Sequence, residues 1–168
     1  MEKNYVVRRA ETADLDMIKS LWIGLAEDQL QKDEYFNGTK EYLSGVSQFD
    51  FILKNERCAI FVLECRGIVS GFIEIWVHEK DFYFSIDSYA YVLHFFIEKS
   101  LRDDRTVSMN KMVFDLYKAS ESWAKEKGVK YIQADVFSHN QRVFKLLNYI
   151  GMKPYRQRLV KKFESDAI

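Results

Sequence analysis

The amino-acid sequence predicts an α/β (α+β) fold: a mixed, mostly antiparallel central sheet with helices on both faces, in one domain over residues 1–168. Three observations lead there. Leu15, Ile18, Trp22 and Leu25 recur at three- and four-residue steps, the mark of a helix with one buried stripe. From Cys58 to Glu98 the pattern turns to dense β-formers broken by short connections, as in an antiparallel meander. Beyond Glu98, helical and strand segments alternate, which puts helices on both faces of a mixed sheet.

Taken in order, Tyr5 to Arg9 reads as a strand, and Thr12 is placed to cap the helix that follows. A weaker second helix would start at Thr39 and turn Leu43 and Val46 inward. Cys58–Cys65 is a strand, Arg66–Gly67 a turn and Ile68–His78 a second strand with Phe72, Glu74 and Trp76 on one face. Tyr89 to Glu98 is a third. Met112, Leu116, Ala119 and Trp123 form a helical stripe that stops at Lys127-Gly128. Val129–Val136 is a strand, and Ser138 or Asn140 opens a short helix ending at Gly151. Tyr155 to Phe163 closes the pattern as a last strand, made basic by Arg156, Arg158, Lys161 and Lys162.

Composition narrows the function classes. Hydrophobic residues make up 48% and charged residues 30%, a globular balance. With 25 basic and 25 acidic residues the chain lacks the basic excess of a nucleic-acid binder. No apolar run is long enough to span a bilayer, and no charged-then-apolar leader follows Met1, so no membrane role is expected. Cys58 and Cys65 lie an odd seven positions apart on one strand and so point to opposite faces. They read as two unpaired thiols in a reducing compartment, which predicts the cytoplasm and no metal site.

The segment from Asn140 to Met152 resembles the C-terminal signature of the GCN5-related N-acetyltransferase (GNAT) family: an Asn opening a helix, a small apolar residue three on, and a Gly-Phe at its end, here Gly151-Met152. The strand Tyr131 to Val136, the stretch Trp123 to Gly128 and the opening Val7 to Leu15 match the family in order and spacing, so the resemblance runs from end to end. It implies acetyl-CoA as co-substrate and an amine acceptor, either a small molecule or a peptide. It implies that Phe96 and Ile97 pair by their backbone with the pantetheine arm, in a splayed gap between their strand and Val129–Val136. Asn140 would cap its helix and hydrogen-bond the pantetheine. A homodimer, through an added strand or an aromatic patch, is a usual arrangement for such a domain.

The sequence departs from the family where the pyrophosphate should bind. The motif position falls on Ser108, Met109, Asn110, Lys111, Met112 and Val113, without a glycine. Glycine normally lets backbone N–H groups at a helix N-terminus approach phosphate. The preceding Leu101–Val107 is longer than usual, and Arg102, Arg105 or Lys111 could supply charge in compensation, or could be a solvated loop.

Acetyl transfer requires a base to deprotonate the ammonium. The family's carboxylate position falls on Leu93, with His94 beside it. A bulge shifting the register by one would turn His94 into the cleft; otherwise it packs on the other face. Glu74, among Phe72 and Trp76, is the second candidate, since a mid-strand carboxylate needs either a function or a partner. The family's acid, a tyrosine, falls on Leu147, and nearby Tyr149 points elsewhere on its helix. Tyr35, Phe36, Phe82, Tyr83 and Phe84 could line an acceptor pocket or pack loops onto the sheet. The missing glycines and tyrosine leave open an alternative: a catalytically inactive GNAT-fold binding or regulatory protein.

Overall fold

The computed structural model describes residues 5–33, 48–80, 85–103 and 108–161. These fall into two units, one ending at Asp135 and one beginning at Val136.

The first unit holds a five-stranded sheet whose spatial order follows the chain. Its strands are β1 (Tyr5–Arg9), β2 (Cys58–Cys65), β3 (Ile68–Glu79), β4 (Ser88–Ile97) and β5 (Ile132–Ala134). The first four are antiparallel neighbours, and β5 joins β4 in parallel. The β2–β3 hairpin turns at Arg66 and Gly67, with φ of 52° and 78°. Positive φ at both central residues suits the twist of two-residue hairpins and favours glycine at the second.

Helices cover both faces. On one side α1 (Leu15–Leu30) and α2 (Gln48–Lys54) bury Ile18, Trp22, Ala26, Phe49 and Ile52 against Cys58, Ile60, Val62, Phe72 and Phe96. On the other, α4 (Met109–Glu126) packs Trp123 and Ala124 onto Ala59, Ile75 and Ala90. The α1 stripe is as expected, but its start is not. Thr12 lies inside a 3-10 turn (Thr12–Asp14), and the cap is a reciprocal capping box between Glu11 and Asp14. Arg8 then holds Asp14 with two hydrogen bonds, of 2.7 and 2.8 Å, and reaches Glu64 through Nε.

Three expectations change. The helix proposed from Thr39 lies outside the described residues, while α2 forms over Gln48–Lys54, where no element was expected. The strand expected over Val129–Val136 pairs only at Ile132–Ala134, because Val129 turns into the core against Trp123. Leu101 and Arg102, read as loop, belong to a helical turn, α3 (Lys99–Asp103).

The second unit contains α5 (Gln141–Tyr149), opened by Asn140, whose side chain accepts from the Val143 N–H at 3.4 Å. It ends before Gly151 at φ 99°, as the sequence predicts. Residues 152–161 carry no secondary structure, so the final strand expected from Tyr155 is not formed over its described part. Arg-Gln-Arg-Leu-Val-Lys puts its two apolar residues side by side, and Leu159 stays 90% exposed, so no alternating face is buried. Among the described residues no helix is long and apolar enough to cross a membrane.

Candidate active site

The β3–β4 ladder loses register at one place. Glu74 pairs with His94 and Ile75 with Val92, so Leu93 is an extra residue on β4 without an opposite number. The bulge puts His94 on the α1 face of the sheet, level with Glu74.

There the two candidate residues meet. Glu74 is 1% exposed. A carboxylate so deep is costly unless its oxygens are engaged, and both are. Oε2 lies 2.7 Å from His94 Nδ1, and Oε1 accepts from Trp76 Nε1 at 2.5 Å. On the far side of the imidazole, Trp22 Nε1 lies 3.4 Å from His94 Nε2, the two rings edge to face at 89°. Trp76 shares the strand face of Glu74, Trp22 descends from α1, and His94 is half-buried between them. Sequence reasoning read both tryptophans as packing residues. The available signal was the i, i+2 spacing of Glu74 and Trp76, which sets an indole N–H beside a buried carboxylate. Next to this group, burial and the Glu74 charge push the Cys58 thiol up to about 11. Both cysteines are free.

Strand β4 keeps its parallel ladder with β5 only over Ala90, Tyr91 and Val92. From Leu93 to Ile97 no strand of the described residues pairs with its outer side. Phe96 and Ile97 lie on this stretch with buried side chains, so what they can offer a ligand is backbone.

The substituted motif opens α4. Ser108 is its extended N-cap residue, with φ −75° and ψ 93°, and its side chain makes no capping bond. The Lys111 and Met112 N–H groups both donate to the Ser108 carbonyl, at 3.0 and 3.1 Å, and those of Met109 and Asn110 precede them. Such leading N–H groups carry the positive end of the helix dipole. Ser108, Asn110 and Lys111 are exposed, whereas Met112 and Val113 are buried in the core and have no side chain to present. Arg102 does not serve this end: its guanidinium lies over the Phe96 ring, 5.2 Å from the centroid, with Asp28 at 3.9 Å. Arg105 and the aromatic set of Tyr35, Phe36, Phe82, Tyr83 and Phe84 lie outside the described residues. In the second unit Leu147 is partly buried and Tyr149 is 85% exposed. Among the described residues no three His, Cys, Asp or Glu side chains gather as a metal site would require.

The chain superposes on solved structures over nearly its whole length. A variant of the BH1408 protein from Bacillus halodurans superposes with a TM-score of 0.79 at 17% identity, over 95% of this chain and 99% of that one. AAC(6')-Iy, an aminoglycoside N-acetyltransferase solved with the bisubstrate analog CoA-S-monomethyl-acetylneamine, gives 0.71 at 16%, over 96% and 99%. The chain has the GNAT fold. A GNAT-fold protein of Pyrococcus furiosus, a proposed acetyl transferase, gives 0.70 at 21% identity over 95% and 99%. No family model and no curated protein sequence matches, so the GNAT likeness rests on shape rather than on conserved sequence.

Proposed function

We propose that this chain is a cytoplasmic acetyl-CoA-dependent N-acetyltransferase acting on a primary amine of a small molecule or peptide. The observation that carries this reading is the pairing of Glu74 with His94 at the bulge, beyond which no strand of the described residues pairs with the outer side of β4.

Acetyl-CoA supplies a thioester carbonyl; the amine nitrogen forms the new C–N bond as the C–S bond breaks. His94 takes the proton that the ammonium must lose before attack, and Glu74 orients the imidazole and balances the charge it acquires. Backbone groups of Phe96 and Ile97 suit the amide-rich pantetheine, as an edge strand suits any extended partner. Ser108, Met109, Asn110 and Lys111 offer the pyrophosphate N–H groups, one lysine charge and a helix dipole. Met112 and Val113 support that turn from the core. Asn140 keeps the pantetheine role that the resemblance gives it, beside the capping role of its side chain. Water protonates the departing thiolate, since Leu147 has no proton to give.

A second reading is favoured by the α4 N-terminus itself, which has side chains where glycines would let phosphate approach. On that reading the chain is a catalytically inactive GNAT-fold protein, working through a protein partner or a second copy of itself. Titration with acetyl-CoA, followed by calorimetry and thermal shift with desulfo-CoA and ADP as controls, separates the two. Saturation at about a hundred times the dissociation constant should stabilise the protein by about 2.7 kcal/mol. The absence of any shift at millimolar ligand would leave only the second reading.

A further inference from the structure

We infer that Trp22 and Trp76 are positioning residues that dictate which nitrogen of His94 carries its proton; this rests on the assignment of His94 as the base. The two indoles close a chain of four side chains. Trp76 Nε1 meets Glu74 Oε1 at 2.5 Å, Glu74 Oε2 meets His94 Nδ1 at 2.7 Å, and His94 Nε2 meets Trp22 Nε1 at 3.4 Å.

An indole N–H donates and never accepts, so both ends of the chain have a fixed direction. His94 Nε2, facing the Trp22 N–H, must be the accepting nitrogen. The proton of the neutral ring therefore sits on Nδ1 and is donated to Glu74 Oε2. The opposite tautomer replaces two hydrogen bonds by two repulsions: Nε2–H against the Trp22 N–H, and the Nδ1 lone pair against the carboxylate oxygen. The second oxygen of Glu74 is occupied by Trp76, which fixes the plane of the carboxylate and keeps it from rotating away from the imidazole.

Trp22 is buried in the cluster that α1 and α2 form on the sheet, and Trp76 packs against that cluster from β3. The core thus holds the base with one basic atom, Nε2, turned toward α1. At 3.4 Å the Trp22 contact is long for a hydrogen bond, weak enough for a donor with positive charge to replace it. An acceptor ammonium reaches the base by taking the place of the Trp22 N–H, and that sets the approach of the substrate to the α1 side of β4.

Imidazole nitrogen spectroscopy of the uniformly 15N-labelled full chain tests this, at about pH 8.5, where free imidazole is neutral. The chain has three histidines, so loss of one ring system in a His94→Gln variant assigns the signals. His94 should be protonated at Nδ1 and bare at Nε2. In Trp22→Phe the Nε2 resonance should move downfield as its donor is lost, while Nδ1–H stays on Glu74. Glu74→Gln, able to donate to Nδ1, should raise the fraction of the other tautomer. A wild-type His94 protonated at Nε2 overturns the inference, and so does a folded Trp22→Phe protein with its Nε2 resonance unmoved. Where His94→Gln does not fold, His78→Gln and His139→Gln assign the His94 signals by elimination, and the wild-type spectrum then decides the tautomer. None of these readouts requires turnover: an inactive protein with Nδ1–H on His94 would count against the proposed reaction and leave the inference standing.

Discussion

Glu74 Oε2 lies 2.7 Å from His94 Nδ1 on the row of the sheet where β3 and β4 slip out of register. Had the two strands kept step, Leu93 would stand opposite Glu74 and the imidazole would turn to the other face. One unpaired residue thus brings acid and base together. Replacing His94 by Gln, which keeps a donor for the carboxylate, should lower turnover a hundredfold or more, the scale of a lost general base. Release of the CoA thiol measures it; a loss of only a few-fold would remove His94 from the mechanism.

Gly71 sits opposite Ile97, and a Cβ there would meet Phe96 O and Ile97 Cγ1 at 3.0 Å each. The backbone oxygen cannot yield as a flexible side-chain tip can. Gly71→Ala should cost about 1–3 kcal/mol, the range for overpacking. Urea unfolding gives the value, and a variant as stable as the parent would show that β3 and β4 separate freely at this end.

Arg8 holds the Asp14 carboxyl below the usual carboxylate range, with the Glu11 N–H assisting and burial opposing. Because the folded-state value is depressed, this stabilisation is complete above the unfolded-state value of about 3.9 and fades as pH falls through and beneath it. The melting temperature should drop on acidification below about pH 4, and Asp14→Asn should flatten that limb. An unchanged acid limb would mean other carboxylates dominate.

Arg102 and Lys111 should part company. Arg102→Ala loses the contacts with Phe96 and Asp28 and should lower the melting temperature while leaving the affinity for CoA within a few-fold. Lys111→Ala, exposed at the head of α4, should weaken CoA and ADP binding with the melting temperature unmoved. Calorimetry on both variants checks the pair, and the reverse pattern would return Arg102 to the phosphate site.

Cys58 is fully buried and its thiol stands well above neutrality, at about 11. Ellman-type reagents should therefore leave it unmodified in the native protein and reach it only on unfolding. Rapid labelling of Cys58 at neutral pH would show that the space beside Glu74 opens to solvent.

Much of the sheet was legible because strand signals are local. Cys58–Cys65 is bounded by residues that punctuate it, and Phe72, Glu74 and Trp76 share the face that period two assigns them. The meeting of Glu74 with His94 was half legible. Each residue is conspicuous alone, but their contact hangs on Leu93, and nothing in Val-Leu-His announces a bulge. The indole partners were hidden because a tryptophan that donates a hydrogen bond and one that only packs leave the same mark in a sequence. Arg102 was misread for a related reason: a basic residue in a polar stretch looks solvated until Phe96 and Asp28 are seen beneath it. The brevity of β5 reflects the pull of Val129 into the core, a tertiary effect with no local signature.

The outer side of β4 from Leu93 to Ile97, which no strand of the described residues pairs, also bears on how the protein keeps in solution. Main-chain groups in a row without a strand partner are a template for any extended segment, including the same stretch of a neighbouring molecule. A thioester arm lying along that margin would act as a shield against fibrous self-pairing. Concentrated ligand-free stocks should then cloud on standing while those stored with CoA stay clear.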